Sequence, residues 1–452
     1  PLTPVMRELV GRAGVVALTG GFAQSLVVEV PAGLDRVRLE VAVRAVMDRH
    51  DVLRARLEVV DGVPERLVVP ERGTAGVVVQ RVDAVGVGGG ELVALVRGRV
   101  EVEGELLDPV AGRMVRVVWF DRGPGERGRL LFVVHHLVVD GVSWQVLVPD
   151  VALAYERPET ALDGTGMSFR GWARALTAEA ASPGFTAELD FWQEQLRDVW
   201  TGPLGARGVG GDVVGGGVWR VEVGVPVGWV SGVLSGVPLA FGVGVDEVLL
   251  AGLVGALGEV CGVVGGLLVD VEGHGRVSWS EGVDLSRTVG WFTASFPVRV
   301  DVGPVVAGGG VGALLKRVKE RVRAVPGDGL GYGLLRYVNP ESAAGFEGLP
   351  VARVGFNYLG RFSGGGGGGV WGLDTELGLG GTAPAGMGLV HELEAGGVVR
   401  DVPGGGSELV LSLVCPVGVM GEVELRGLAG AWVEVLGGLV RHVVEESGGG
   451  FT

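Results

Sequence analysis

The sequence predicts a mixed α/β (α+β) protein built as two lobes. Its 452 residues exceed the roughly 250–300 residues at which a single hydrophobic core stops growing. Apolar strand-like runs alternate with amphipathic helical patterns along the whole chain. The second half repeats the mixed grammar of the first, although no internal repeat is strong. The stretch 156–168 carries Pro158, Gly164 and Gly166 and reads as a linker, so the lobes are expected at 1–165 and 166–452.

Composition narrows the class. A net charge of −15 argues against a nucleic-acid partner. The 86 glycines are interleaved with Val and Leu, and 47% of residues are hydrophobic, which suits a packed core and not a disordered chain. Cys261 and Cys415 sit far apart in apolar runs, which fits a reducing compartment without disulfides. No 18-residue apolar run free of charge and glycine reads as a membrane span, and no signal peptide is visible. The expectation is a cytoplasmic domain, and a chain opening on Pro1 is expected to be excised from a longer polypeptide.

In order along the chain, Ser25 to Val30 reads as a strand. Residues 34–50 place Leu39, Val43, Val46, Met47 and His50 on one helical face. Leu53, Ala55, Leu57 and Val59 then alternate with Arg54, Arg56 and Glu58, a half-buried strand pattern. Met114–Phe120 and Leu130–His135 read as a hairpin joined through the turn-rich Asp121–Gly128. Asp140-Gly141 is a turn pair, and Ser143 has the position of an N-cap. The helix that follows spaces Trp144, Leu147, Val148, Val151 and Tyr155 on one face, with Pro149 expected to kink it or shift its start. Phe169 to Leu196 is helical in pattern, broken at Pro183-Gly184, and 202–217 is a glycine-rich loop. In the second half, Asp246–Val260, Leu314–Val325 and Leu425–Val444 read as helices. Leu267–Val271, Val351–Tyr358 and Glu408–Pro416 read as strands, and Gly364–Gly369 as a low-complexity loop.

The stretch Val133-Val134-His135-His136-Leu137-Val138-Val139-Asp140-Gly141-Val142-Ser143-Trp144 organises the rest. Strand alternation sends His135 and His136 to opposite faces, one into the protein and the other toward a cleft. Histidine can give or take a proton near neutral pH. A lone histidine at a strand end is more often inert and hydrogen-bonded, but HHxxxDGxSW on a strand–turn–helix is a full constellation. It is identified as the signature of the condensation-domain superfamily of nonribosomal peptide synthetases, which resembles chloramphenicol acetyltransferase. The resemblance implies two acetyltransferase-like lobes forming a pseudo-dimer with a central tunnel. Arg49-His50-Asp51-Val52-Leu53-Arg54 resembles the superfamily's second core motif, with His50 structural.

A second cluster, Glu272-Gly273-His274-Gly275-Arg276, puts an acid at the mouth of a buried strand. Alone it would suit a solvated glutamate in a turn. Three further stretches follow it: Arg287-Thr288-Val289-Gly290-Trp291-Phe292-Thr293, Pro326-Gly327-Asp328-Gly329-Leu330-Gly331-Tyr332-Gly333 and Phe356-Asn357-Tyr358-Leu359-Gly360. Together with HHxxxDGxSW they resemble the ordered motif set of epimerization domains over essentially the whole chain. Val277 stands where that family often has an acid, and Thr3-Pro4-Val5-Met6 is a loose version of its opening motif.

The resemblance implies inversion of Cα in an aminoacyl or peptidyl thioester on the phosphopantetheine arm of a peptidyl carrier protein. Other synthetase domains in the same polypeptide are the further partners. No cofactor or metal is expected to be bound by the domain itself, since no dinucleotide fingerprint or metal-ligand cluster is evident in the sequence. His136 and Glu272 are the expected proton carriers, one for each face of the substrate. Glu272 is expected to remove the proton of an L-substrate, and His136, or a water it orients, to return one. Asn357, Tyr358 or backbone N–H groups near Asp140 and Gly141 would stabilise the enolate oxygen. Asp140 is expected to form a buried ion pair with Arg287, and His135 to be structural; His274 is left undecided. A condensation catalyst using the same histidine is the alternative. A non-catalytic recruitment module is disfavoured by the intact His135, His136, Asp140 and Gly141.

Overall fold

A computed structural model describes residues 1–452 except 15–17, 19, 75, 77–78, 165, 206–216, 264, 278, 280–281, 304–309, 363–369, 375, 385–386, 403–405 and 449–452. Gly364–Gly369 and most of 202–217 thus lie outside the described residues. The strands are β1 (Ala23–Val30), β2 (Arg56–Val60), β3 (Val63–Val68), β4 (Val79–Asp83), β5 (Val115–Asp121), β6 (Gly128–His135), β7 (Val218–Gly224), β8 (Gly266–Gly273), β9 (Ala294–Asp301), β10 (Val354–Phe362), β11 (Gly372–Leu373), β12 (Leu379–Thr382), β13 (Leu393–Asp401) and β14 (Ser407–Pro416).

The chain forms two compact units, but they are not consecutive stretches split at 165/166. The first holds Pro1–Ala180, His274–Thr293 and Ser363–Met387, and the second Ala181–Gly273, Ala294–Phe362 and Gly388–Thr452. The stretch expected to link the lobes belongs to the first unit, where the Met167 N–H donates to the Asp284 carbonyl. The physical reason is strand demand. The open edge of β1 is completed by β11 and β12, which the chain supplies more than 340 residues later.

In the first unit the sheet runs β11-β1-β6-β5-β4, with β12 also pairing with β1. The β5–β6 hairpin forms as expected from its alternating apolar strands. β4 runs parallel to β5, and the helix Gly89–Glu105 makes the crossover that a parallel pair requires. Leu131 and Val133 of β6 meet Ala23, Val27, Leu92 and Val96 in one core under that helix. The alternation expected over 53–59 is broken: Asp51–Arg54 is a 3-10 turn and the strand starts at Arg56. Arg54, read as outward-facing, is buried because its guanidinium donates to the Met47 and Asp48 carbonyls at the end of the helix Arg36–Arg49.

The second unit carries the sheet β7-β14-β13-β10-β8-β9, with β10 parallel to both β8 and β13. The helix Val245–Val260 is buried on every side from Glu247 to Leu257 and is the unit's central element. Gly252 lets the closing helix Glu422–Gly448 approach, since a Cβ there would lie 2.7 Å from Leu436. That closing helix is long and apolar enough to cross a bilayer, but half of the qualifying window is buried in this core. Phe169–Leu196 is three helices, Phe169–Glu179, Pro183–Thr186 and Leu189–Gln195, with the break at Pro183 as expected.

Within the second unit the Pro326–Gly333 motif packs with little tolerance. Gly329 has φ 80°, and a Cβ there would come within 1.9 Å of the Phe296 ring. Gly348 has φ 72° with open space around it. Gly329→Ala is therefore expected to lower stability by roughly 1–3 kcal/mol beyond the backbone strain alone. Gly348→Ala should lose only the strain, about 1 kcal/mol. Urea denaturation of both variants measures the difference, and equal losses would show that the Phe296 contact yields freely.

Candidate active site

In the first unit, β6 ends at His135 and His136 opens a 3-10 turn, His136–Val138. The ladder continues one step further, because the His136 N–H donates to the Phe22 carbonyl at 2.9 Å. His135 shares the face of Leu131 and Val133 and is fully buried. Its Nδ1 accepts the Leu137 N–H, so its chemistry is spent inside the fold. His136 lies on the other face, as alternation requires. Its ring stacks on Phe22 at 5.0 Å and 14° and meets Trp291 at 4.6 Å.

His136 Nε2 accepts the Gln24 amide N–H at 3.1 Å. Trp144 in turn donates its indole N–H to Gln24 Oε1 at 2.8 Å. Burial among the aromatic rings lowers the His136 pKa below the ordinary imidazole value, while nearby backbone and the Asp140 charge pull more weakly upward.

Asp140 does not pair with Arg287. Its carboxylate is held by Arg276, with Nη1 to Oδ2 at 2.6 Å and Nη2 to Oδ1 at 2.9 Å. The same carboxylate accepts the Ser143 N–H, the Ser143 hydroxyl and the Phe292 N–H. Ser143 is consequently not a helix cap by its side chain; its hydroxyl oxygen receives the Gly290 N–H instead. Arg276 also sits over the Phe292 ring at 4.2 Å. Arg287 pairs with Asp150 at 2.5 Å, and Asp150 also bonds His50 Nε2 at 2.8 Å. The expected partner was displaced because Asp150, on the helix Trp144–Glu156, offered Arg287 a second buried carboxylate. Pro149 sits inside that helix without ending it. Gly141 has no positive φ, and a Cβ there would meet nothing within 4 Å.

In the second unit, β8 ends at Glu272-Gly273, with Glu272 exposed at the strand mouth. Asn357, on the neighbouring β10, donates its amide N–H to Glu272 Oε2 at 2.6 Å. Two motifs far apart in sequence thus meet at one carboxylate. Tyr358 is half-buried, and burial raises its hydroxyl pKa above the ordinary value. Two residues back along β8, Asp270 is buried and holds His391 Nε2 at 2.9 Å. His274 is exposed, and its Nδ1 accepts the Arg276 N–H. A cleft of about 1130 Å³ opens in the first unit beside Gly21, Asp108, Arg113 and Thr382, and none of the candidate residues lines it.

The condensation-domain family model matches residues 17–364. The chain belongs to the condensation-domain family. A linear gramicidin synthase polypeptide of Brevibacillus parabrevis is 33% identical over 346 residues, covering 75% of this chain and 6% of that protein. Chondramide synthase cmdD of Chondromyces crocatus is 32% identical over 372 residues, covering 80% of this chain and 9% of that protein. The chain therefore spans less than a tenth of the length of these relatives. Among solved structures, the epimerization domain from the third module of tyrocidine synthetase B superposes with a TM-score of 0.84 at 24% identity, over 98% of this chain and 97% of that one. The first condensation domain of the CDA synthetase gives 0.71 at 19% identity, over 97% and 96%. The shared fold is that of condensation domains, with two chloramphenicol-acetyltransferase-like lobes.

Removing Arg276 leaves the Asp140 charge buried without its cation. Arg276→Ala should therefore lose roughly 3–5 kcal/mol in urea denaturation. Arg287→Ala should lose less, because the Arg287 side chain is about one-third exposed and His50 remains on Asp150. The reverse order would restore Asp140–Arg287 as the structural pair.

The lowered pKa of His136 means that the unfolded chain takes up this proton first as pH falls below about 6.5. The contribution of neutral His136 to stability is thus complete above that pH and declines below it, until the folded ring itself protonates. Stability measured between pH 7 and 5 should fall less steeply in His136→Gln than in the parent chain. An identical slope would show that the ring is not desolvated.

Proposed function

We propose that this chain is an epimerization domain of a nonribosomal peptide synthetase. It would invert Cα of an aminoacyl or peptidyl thioester carried on the phosphopantetheine arm of a peptidyl carrier protein. The observation that carries the reading is the carboxylate of Glu272, presented at a strand mouth and held by Asn357 of the FNYLG motif. Amide-bond formation can use His136 alone, whereas inversion needs a second proton carrier. The likeness to the tyrocidine synthetase epimerization domain points the same way.

The thioester carbonyl acidifies the Cα–H. For an L-substrate, Glu272 takes that proton and the electron pair becomes an enolate. Burial among the aromatic rings favours the neutral His136 ring in the resting site. The returning proton therefore comes from a water held at His136 Nε2 and enters on the opposite face. The hydroxide left behind is neutralised by the proton on Glu272. Asn357, Tyr358 and the backbone N–H groups at Asp140 and Gly141 are the proposed donors to the enolate oxygen. Asp140, Arg276 and Arg287 shape the site without carrying protons. The reading requires both groups to reach one carbon from opposite sides, in a tunnel that admits the carrier arm.

Condensation of two carrier-bound groups is the second reading, since solved relatives of the same fold include condensation domains. The test is a carrier loaded with an L-aminoacyl thioester, incubated with the chain in deuterated water. D-isomer carrying Cα deuterium is expected without added cofactor. Peptide product with a second loaded carrier, and neither label nor D-isomer in the first, would support condensation instead. Glu272→Gln should lower both exchange and inversion at least ~100-fold. His136→Ala should abolish inversion while retaining slow exchange with retained configuration. Full inversion by either variant removes that residue from the mechanism.

A further inference from the structure

We propose that Gln24 is a positioning residue that fixes the tautomer of His136, and that Trp144 fixes Gln24. The inference rests on the reading of His136 as a proton-handling group. It was not visible in the sequence, because Gln24 lies in β1, outside the motifs that carry the family resemblance.

The argument follows from hydrogen-bond polarity. The Trp144 indole nitrogen can only donate. Gln24 must therefore turn its carbonyl oxygen to Trp144, at 2.8 Å, and its NH₂ to His136, at 3.1 Å. An amide N–H facing Nε2 requires a lone pair there, so the ring's proton resides on Nδ1. That nitrogen has no hydrogen-bond partner of good geometry among the described residues. The backbone carbonyls of His136 and Val139 lie close enough to favour a proton on the ring, and the Gln24 bond on Nε2 is the well-aligned contact that places that proton on Nδ1. A protonated ring would place N–H against N–H. Flipping the amide would relieve that clash only by placing its NH₂ against the Trp144 N–H.

Register brings the three groups together. Ala23 pairs with His135 and the Phe22 carbonyl receives the His136 N–H, so Phe22, Gln24 and His136 share one face of the sheet. Phe132, also on that face, meets the Trp144 ring at 6.3 Å. The titratable groups on the elements around the ring are engaged elsewhere. Asp140 and Arg276 hold each other, Asp150 holds His50 and Arg287, and His135 faces the opposite side. The neutral amide is thus the side chain that faces the bare imidazole nitrogen. It keeps Nε2 unprotonated until substrate or water takes its place.

The test combines ¹⁵N spectroscopy of the histidine rings with kinetics on the full chain, His136 being assigned by difference from His136→Gln. The parent is expected to show neutral His136 with a bare Nε2. Gln24→Glu presents an acceptor, so Nε2 should become protonated. The pH midpoint of Cα inversion should rise by about one unit, and kcat of inversion should fall at least ~10-fold with KM little changed. Gln24→Met keeps the volume without the donor. It should give mixed tautomers and a smaller loss of kcat, and circular dichroism confirms that both variants fold. Trp144→Phe frees the amide and should shift the pH midpoint in the direction of Gln24→Glu. A parent ring protonated on Nε2 overturns the proposal. So does a Gln24→Met variant with unchanged tautomer and pH profile, even if His136→Ala is inactive. Full activity in His136→Ala would instead defeat the underlying functional reading, while the tautomer measurement, which needs no turnover, would still decide the role of Gln24.

Discussion

The buried carboxylate of Asp140 is the constraint on which the histidine turn depends. It collects five donors from Arg276, Ser143 and Phe292, so every favourable direction around its two oxygens is used. A buried ion pair contributes little net stability against an apolar alternative of the same shape. It does impose geometry, because a carboxylate this desolvated has no other low-energy arrangement. The turn after β6 is therefore fixed at Asp140, four residues beyond His136, and at Phe22, opposite it.

Two adjacent histidines acquire different chemistry from that frame. His135 points into the core beneath the helix Gly89–Glu105 and binds backbone, so it acts as a polar spacer at the strand end. His136 stands between Phe22 and Trp291, where burial disfavours the charged ring. The rings supply desolvation and the Gln24 amide supplies direction. Neither alone defines a base, since a desolvated imidazole without a fixed tautomer presents either nitrogen.

Much of this was legible in sequence. The β5–β6 hairpin, the helix after Asp140-Gly141 and the apolar helix Val245–Val260 follow from periodicity over long windows. Asn357 was expected to line the site, and its bond to Glu272 comes from the parallel register of β8 and β10. The misreadings share a cause. Arg287 was the expected partner of Asp140, and the sequence does not show that Asp150 is buried where it takes Arg287 and leaves Asp140 to Arg276. Arg54 alternates like a surface residue but caps a helix. The helix Gly89–Glu105 carries glycines and valines with a weak apolar stripe, so its role as a crossover came from the parallel β4–β5 pair and not from its own pattern. The interleaving of the two units is invisible to any local signal, because it depends on which distant segment satisfies the open edge of β1.

The segment His274–Thr293 shows how such a long-range placement becomes specific. It is fastened to the first unit at two carboxylates, by Arg276 on Asp140 and by Arg287 on Asp150. Between them Thr288 donates its hydroxyl to the Met167 carbonyl. Gly290 then lets the backbone close on Phe169, where a Cβ would lie 2.1 Å from the ring. These contacts deliver Trp291 to the face of His136. Lysine could balance either charge, but at Arg276 it could not reproduce the two parallel bonds to Asp140, the bond to the Thr288 carbonyl and the stacking on Phe292 together. The planar guanidinium is thus what converts a charge balance into a position, and the aromatic wall of the histidine site is built on that position.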